Sequence, residues 1–347
     1  MLKKNRIVGT LLSAVMCVGL LAGCGSAAAE EIGDDDGNGK KSVVCTIFPE
    51  YDWAREIIGT DSGQYELTLL LDNGVDLHSY QPTAEDIAQI SACDVFIYVG
   101  GESDGWVSAA LKEASNKEMQ VINLLDVLGD TVKEEEFVEG MQAEEEEEDG
   151  EATGQDSSEE DSEAAEKGPE YDEHVWLSLK NAGICVNAIT EALKKADEKN
   201  ADIFQTNCDA YVEKLDGLDQ EYAAAVSEGT QKTLLFGDRF PFRYLVDDYN
   251  LDYYAAFVGC SAETEASFET IVFLAGKVDE LGLSHVMVIE NSDRKIAQTV
   301  INNTAEKSAD ILVLDSMQSV TSRDIAEGET YLSVMENNLN VLRIALN

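Results

Sequence analysis

Val286-Met287-Val288-Ile289 and Ile311-Leu312-Val313-Leu314 are two short apolar runs, and between them Arg294 to Ser308 reads as a helix. Strand, helix and strand in that order make the unit from which parallel sheets are built. The alternation extends both ways. Upstream, Thr233 to Phe236 reads as a strand, Tyr244 to Tyr249 as a helix, Leu251 to Phe257 as a strand and Ser267 to Leu281 as a helix; downstream, Tyr331 to Leu346 is the closing helix. An earlier series has the same rhythm. Val43 to Phe48 is a buried-type strand ended by Pro49, Asp52 to Ile58 a helix, and Tyr65 to Leu71 a strand. Thr83 to Ser91 follows as a helix whose N-cap Thr83 has Asp86 three residues on, and Asp94–Val99 and Val121–Leu124 are further strands. Between the two series, apolar residues recur at helical spacing, as at Ile184, Ile189 and Leu193 and then at Phe204, Tyr211, Leu215, Leu218 and Tyr222, with Gly229 as a stop. The predicted fold is α/β: two parallel-sheet lobes, 42–198 and 230–347, joined by a long helix over 199–229.

The N-terminus sets the address. Lys3, Lys4 and Arg6 precede an apolar run from Ile7 to Leu21, too short and wrongly flanked for a stable membrane span, so residues 1–23 read as a secretory signal. The run ends in Leu21-Ala22-Gly23-Cys24, which resembles a bacterial lipobox and implies lipidation at Cys24, with 24–41 as a tether. An exported protein anchored by lipid to the outer face of the bacterial cytoplasmic membrane is expected. The chain carries a formal charge of −45, and loss of residues 1–23 removes three cations and no acids, leaving −48. Nucleic acid is excluded as a natural partner, because phosphate binding needs a basic face. Beyond Cys17 and Cys24, five cysteines remain, an odd number without a C-x-x-C pair. Neither a disulfide framework nor a cysteine zinc cluster is predicted.

Residues 134–173 break the rhythm: twenty of these forty are Asp or Glu, against one Lys. Such a stretch cannot bury enough apolar surface to order itself, so a mobile acidic loop is expected over 134–172. It is either a spacer or a weak trap for cations.

Only three histidines occur in the 347 residues, and two stand in contexts suited to a metal ion. His78, in Asp76-Leu77-His78-Ser79-Tyr80-Gln81-Pro82-Thr83, lies on a strand-to-helix loop at the carboxyl edge of the first sheet, where open α/β sheets place their ligands. His174, in Glu173-His174-Val175-Trp176-Leu177, leaves the acidic loop at the head of the long helices, with Trp176 read as packing. His285 enters a strand at the opposite edge and is read as a bystander. In the second lobe Asp238 and Glu290 each follow a strand at the favoured edge, although either residue could merely cap a helix.

With these residues the chain resembles the zinc/manganese substrate-binding lipoproteins of bacterial ABC importers, the TroA-like or ZnuA-like family, from about Ser42 to the C-terminus. The resemblance rests on the lipobox, on His78-Ser79-Tyr80-Gln81-Pro82-Thr83 with Asp86, and on Glu173-His174-Val175-Trp176-Leu177. It also rests on Gly259-Cys260-Ser261-Ala262-Glu263-Thr264-Glu265-Ala266-Ser267, and on Glu290 followed by Val313-Leu314-Asp315. It implies two lobes on a rigid linking helix, with a divalent ion in the cleft. His78 and His174 would be the first-lobe ligands and Glu290 the acidic fourth. At the third position, where zinc members usually offer histidine, this chain reads Phe236-Gly237-Asp238-Arg239-Phe240; Asp238 is the preferred ligand, and Arg239 or Arg243 could instead neutralise it. Two imidazoles and two carboxylates suit zinc first and manganese next. The resemblance further implies a monomer that delivers its ion to an ABC permease and catalyses nothing. A zinc hydrolase would need an open coordination position and a general base, and the chain has no H-E-x-x-H helix. A cation-buffering or adhesive surface lipoprotein is the other alternative; tight binding that survives deletion of the acidic loop favours the importer.

Overall fold

The computed structural model of the chain describes residues 40–59, 63–142, 170–261 and 265–347. The leader, Cys24 and nearly all of the tether lie outside them. In the first lobe β1 (Lys41–Cys45) leads into α1 (Phe48–Ile58), β2 (Tyr65–Leu69), α2 (Ala84–Ala92), β3 (Val95–Tyr98), α3 (Val107–Lys112), β4 (Gln120–Asn123) and α4 (Leu124–Leu128). All pairings are parallel, in the order β2-β1-β3-β4. β1 stops at Cys45, short of the expected Phe48, and Pro49 sits instead in the first turn of α1, where its missing N–H costs nothing. Thr83 and Asp86 form the reciprocal cap of α2: the Thr83 hydroxyl accepts from Asp86 N at 3.2 Å and Asp86 Oδ2 accepts from Thr83 N at 2.7 Å.

α5 (Leu179–Ala196) and α6 (Ala201–Glu228) carry the chain across to the second lobe. The 28 residues of α6 span about 42 Å at 1.5 Å per residue. Its buried stripe runs Phe204, Cys208, Tyr211, Leu215, Leu218, Tyr222 and Ala225, alternating steps of four and three as one apolar face requires. The second lobe then adds β5 (Thr233–Phe240), α7 (Arg243–Tyr249), β6 (Asp252–Val258), α8 (Phe268–Leu281), β7 (His285–Val288), α9 (Lys295–Asn303), β8 (Asp310–Val313), α10 (Ser322–Glu327) and α11 (Tyr331–Ala345). Its parallel sheet has the order β6-β5-β7-β8, strand for strand the order of the first.

The structure departs from the sequence reading in three places. β5 does not stop at Phe236. It continues to Phe240 with a shift of register against β6 between Phe236 and Arg239, so Gly237 and Asp238 sit in a bulge within the strand rather than beyond its end. The acidic segment is ordered at both ends. Glu134 bridges Tyr171, Glu135 N donates to Glu170 O at 2.9 Å, and Asp172 N donates to Lys133 O at 2.9 Å; residues 143–169 lie outside the described part. Val138 and Met141 pack on the core, which gives these margins apolar anchors among the acids. Finally, α11 belongs to both lobes. The buried Tyr331 donates its N–H to Asp52 Oδ2 at 2.8 Å and its hydroxyl to Trp176 O at 2.7 Å, with its ring edge-on to Trp53 at 5.2 Å.

Candidate metal centre

His78 is set by the turn that carries it. Leu77–Ser79 forms a 3-10 turn capped by Asp76, whose Oδ1 accepts from His78 N at 3.0 Å. Its ring Nδ1 faces Ser103 Oγ at 2.8 Å and Glu173 Oε2 at 3.5 Å. His174 stands at the head of the 3-10 turn Val175–Leu177, fully buried. Asp172 Oδ1 accepts from both His174 N and His174 Nδ1, at 2.9 Å each. An acceptor at each Nδ1 places the proton there and leaves Nε2 as the donor atom, the arrangement of a metal-binding histidine held by a carboxylate. The two Nε2 atoms then face one another 3.2 Å apart. Two nitrogens on one tetrahedral ion at about 2.05 Å would be about 3.3 Å apart.

Two glycines make room for this pair. Gly101 (φ 83°) follows β3, and a Cβ there would lie 2.2 Å from Glu173 Oε1. Gly259 follows β6, and its Cβ would stand 3.0 Å from His174 Cε1. The second lobe's edge therefore reaches the histidine because it has no side chain at that point.

Electrostatics divide the pair. Burial, with His174 and Arg239 adding to it against Asp76, pushes the His78 imidazole down to about 3. Burial acts the same way on His174, but the charge and hydrogen bond of Asp172, with Glu173 and Asp76, outweigh it and hold this imidazole above its ordinary value. Without an ion, His174 is the member that takes up a proton, and its Nε2–H points at His78 Nε2.

Asp238 has one oxygen accepting from Arg239 N at 2.9 Å and the other, Oδ2, buried without a hydrogen-bond partner. It shares a cleft cavity of roughly 410 Å³ with Asp76, Arg239 and Ser261. The Arg239 guanidinium reaches across to Asp76 Oδ2 at 2.6 Å, and Arg243 pairs with Glu136 at 3.2 Å, so neither guanidinium is bound to Asp238. Burial opposes the Asp76 charge, but Arg239 and His78 hold its carboxyl below the usual range. Glu290 is occupied by the loop after β8, accepting from Ser316 N (2.8 Å), Ser316 Oγ (2.9 Å), Gln318 N (3.2 Å) and Ser319 Oγ (3.2 Å). His285 begins β7 opposite Asp310, at the strand's entering end. Trp176 is core: its Nε1 donates to Ser316 O at 2.9 Å and ties the first lobe to the second.

Among the described residues, one group of three or more potential ligands has all its donor atoms within 4.8 Å of one another: His78, His174 and Cys260. Cys260 stands in the sequence within the family-like run Gly259–Ser267 but not as a candidate ligand, because nothing in that run pairs the cysteine with a second donor. The available signal was positional, since Gly259-Cys260 follows a strand at the carboxyl edge.

Residues 43–345 match the family described as "ZnuA: Zinc-uptake complex component A periplasmic". The chain belongs to the ZnuA family. It is 30% identical over 312 residues to the zinc-binding protein AdcA of Streptococcus pyogenes serotype M3, covering 88% of this chain and 56% of that protein. The chain thus spans little more than half the length of the streptococcal relatives it matches. Against the high-affinity zinc uptake system protein ZnuA of Bacillus subtilis identity is 27%, with 95% of each chain covered. Among solved structures, the Zn(II)-bound ZnuA-like domain of Streptococcus pneumoniae AdcA superposes with a TM-score of 0.66 at 28% identity, covering 89% of this chain and 99% of that one. The periplasmic zinc-binding protein TroA of Treponema pallidum, at 20% identity and a TM-score of 0.67, has the same fold.

Proposed function

We propose that this protein captures a divalent transition metal, zinc before manganese, in the cleft between its lobes and delivers it to an ABC permease. The observation that carries the reading is the opposed pair of Nε2 atoms, 3.2 Å apart, with both Nδ1 atoms held from behind. His78 and His174 supply the first-lobe ligands, and a second-lobe carboxylate, from Asp238 or Glu290, completes the set as the lobes close. Asp238 Oδ2 is free to do so, whereas Glu290 must first release part of its five-bond hold on residues 316–319. The donors are those of a transport site: they bind as neutral imidazole and carboxylate and release on protonation or on opening. No catalytic step is assigned to them. The protein acts as a monomer, exported and held at the outer face of the cytoplasmic membrane by lipid on Cys24. The membership in a zinc-uptake family supports the choice of metal.

The test is metal analysis with competitive titration of the purified protein beside His78→Ala, His174→Ala, Asp238→Ala and Glu290→Ala. Each histidine change is expected to abolish tight zinc binding. Undiminished binding in both histidine variants contradicts the reading, while undiminished binding in Asp238→Ala removes only that carboxylate from the set.

A further inference from the structure

We propose that Cys260 is a direct ligand of the transported ion, binding as thiolate beside Nε2 of His78 and His174, and that this sulfur makes the site discriminate for zinc against manganese. The proposal rests on the cleft-site reading above and gives the second lobe a soft donor. Cys260 follows β6, and His78 follows β2. These strands occupy the same edge position in sheets of identical order, so each lobe offers one ligand from equivalent places. The donor atoms of His78, His174 and Cys260 already lie within 4.8 Å of one another. On a tetrahedral zinc, with Zn–N about 2.05 Å and Zn–S about 2.3 Å, sulfur and nitrogen would be about 3.6 Å apart. An approach of at most about 1.2 Å by the β6 edge brings the sulfur to that distance, beside the carboxylate that completes the set.

The surroundings are built to hold this cysteine in place. Gly259 lets the loop lie against the His174 ring, and Glu135 Oε1 accepts from Cys260 N at 3.1 Å. His78, Ser103, Glu173 and Cys260 line one cavity of roughly 240 Å³, into which the buried Glu173 brings an oxygen, Oε2, with no hydrogen-bond partner. The other four described cysteines, Cys45, Cys93, Cys185 and Cys208, are packed in the core, and Cys260 alone among the five is partly exposed. None of the five is in a disulfide. Loading is balanced in protons: the S–H bond breaks, sulfur keeps the electron pair and donates it to the metal, and the proton passes to the adjacent Glu135 carboxylate and on to water. Thiolate favours zinc, whereas manganese prefers oxygen donors.

The test uses the purified chain, kept reduced, with Cys260→Ser and Cys260→Ala. Cobalt(II) is the spectroscopic probe, and zinc and manganese are titrated in competition. The wild-type cobalt adduct is expected to show thiolate-to-metal charge-transfer absorption in the near ultraviolet, and both variants to lack it. Zinc affinity should fall on the order of a hundredfold, at least the loss that removing an outer partner of a metal ligand causes, and the preference for zinc over manganese should narrow. A wild-type adduct without the band, or a Cys260→Ser protein with unchanged zinc affinity and selectivity, overturns the proposal. Should that happen while His78→Ala and His174→Ala still abolish binding, the histidine site stands without its sulfur. Should the histidine variants also bind normally, both readings fall.

Discussion

At the scale of residues, the site is decided by what stands behind each imidazole. Asp172 fixes the tautomer of His174 and raises its basicity, so it strengthens the ligand and also its competing proton. The signs follow. In the proposed site a proton on His174 competes with the metal, so zinc affinity is expected to fall as pH drops, and the raised imidazole sets that loss at higher pH than an unperturbed histidine would. Asp172→Asn is expected to weaken zinc binding by about 10- to 100-fold near neutral pH. It should also shift the onset of acid release to lower pH. Titrations across pH check both effects, and an unchanged onset contradicts the role given to Asp172. The histidines were legible in the sequence because the residue is scarce and both sit among turn residues and acids. Cys260 was not, since its role comes from the facing lobe, and no local pattern reports a partner about 90 to 180 residues away. Nor was the Arg239–Asp76 pair, which joins two loops that only the fold brings together.

At the scale of elements, the strand–helix alternation was legible because buried parallel strands are short apolar runs bounded by turn residues. α3, α4 and α10, of six, five and six residues, passed unseen because so few turns carry no readable period. The bulge in β5 was hidden for a different reason: it is a property of the pairing with β6, not of β5 alone. α6 shows what its regular stripe is for. Leu215 is almost fully buried in that stripe, and Leu215→Ala is expected to cost about 2–5 kcal/mol of stability through lost burial and a residual cavity. Thermal or denaturant unfolding measures that loss, while zinc affinity should stay unchanged because the stripe contributes no ligand. A large fall in affinity would mean that the helix sets the cleft geometry directly. The loop after β6 behaves oppositely. Gly259→Ala is expected to weaken zinc binding, since its Cβ meets the His174 ring and Phe240 O at 3.0 Å each.

At the scale of the whole molecule, the lobes are tied beyond the linking helix. One core cluster runs from Val43 to Leu346, Trp176 bonds Ser316 O, and Ser322 N donates to Asp72 O at 2.8 Å. Such ties suit small closing movements rather than wide hinge opening. α11 lies in the 230–347 segment expected as the second lobe but packs on α1 and α6, because the apolar face of a terminal helix is covered wherever uncovered core remains. Beneath the site lie two buried acids. Burial, with the charge of Asp104, pushes Glu50 up to about 8, and burial pushes Asp104 up to about 7. Both are raised carboxyls, so the folded protein holds protons that the unfolded chain releases. Their contribution to stability is fully present below about pH 4 and is lost as pH rises through about 7 to 8. The metal-free protein should unfold at a higher temperature at pH 5.5 than at pH 8, and Glu50→Gln should flatten that difference. An unchanged slope in the variant contradicts this assignment.

Two imidazoles from one lobe are expected to hold the ion, and X-ray absorption at the zinc edge of the loaded protein reads them out. The expected spectrum has nitrogen or oxygen neighbours at about 2.0–2.1 Å, the outer scattering of two imidazole rings, and a sulfur at about 2.3 Å. A shell of oxygen alone, with no imidazole scattering, would contradict it.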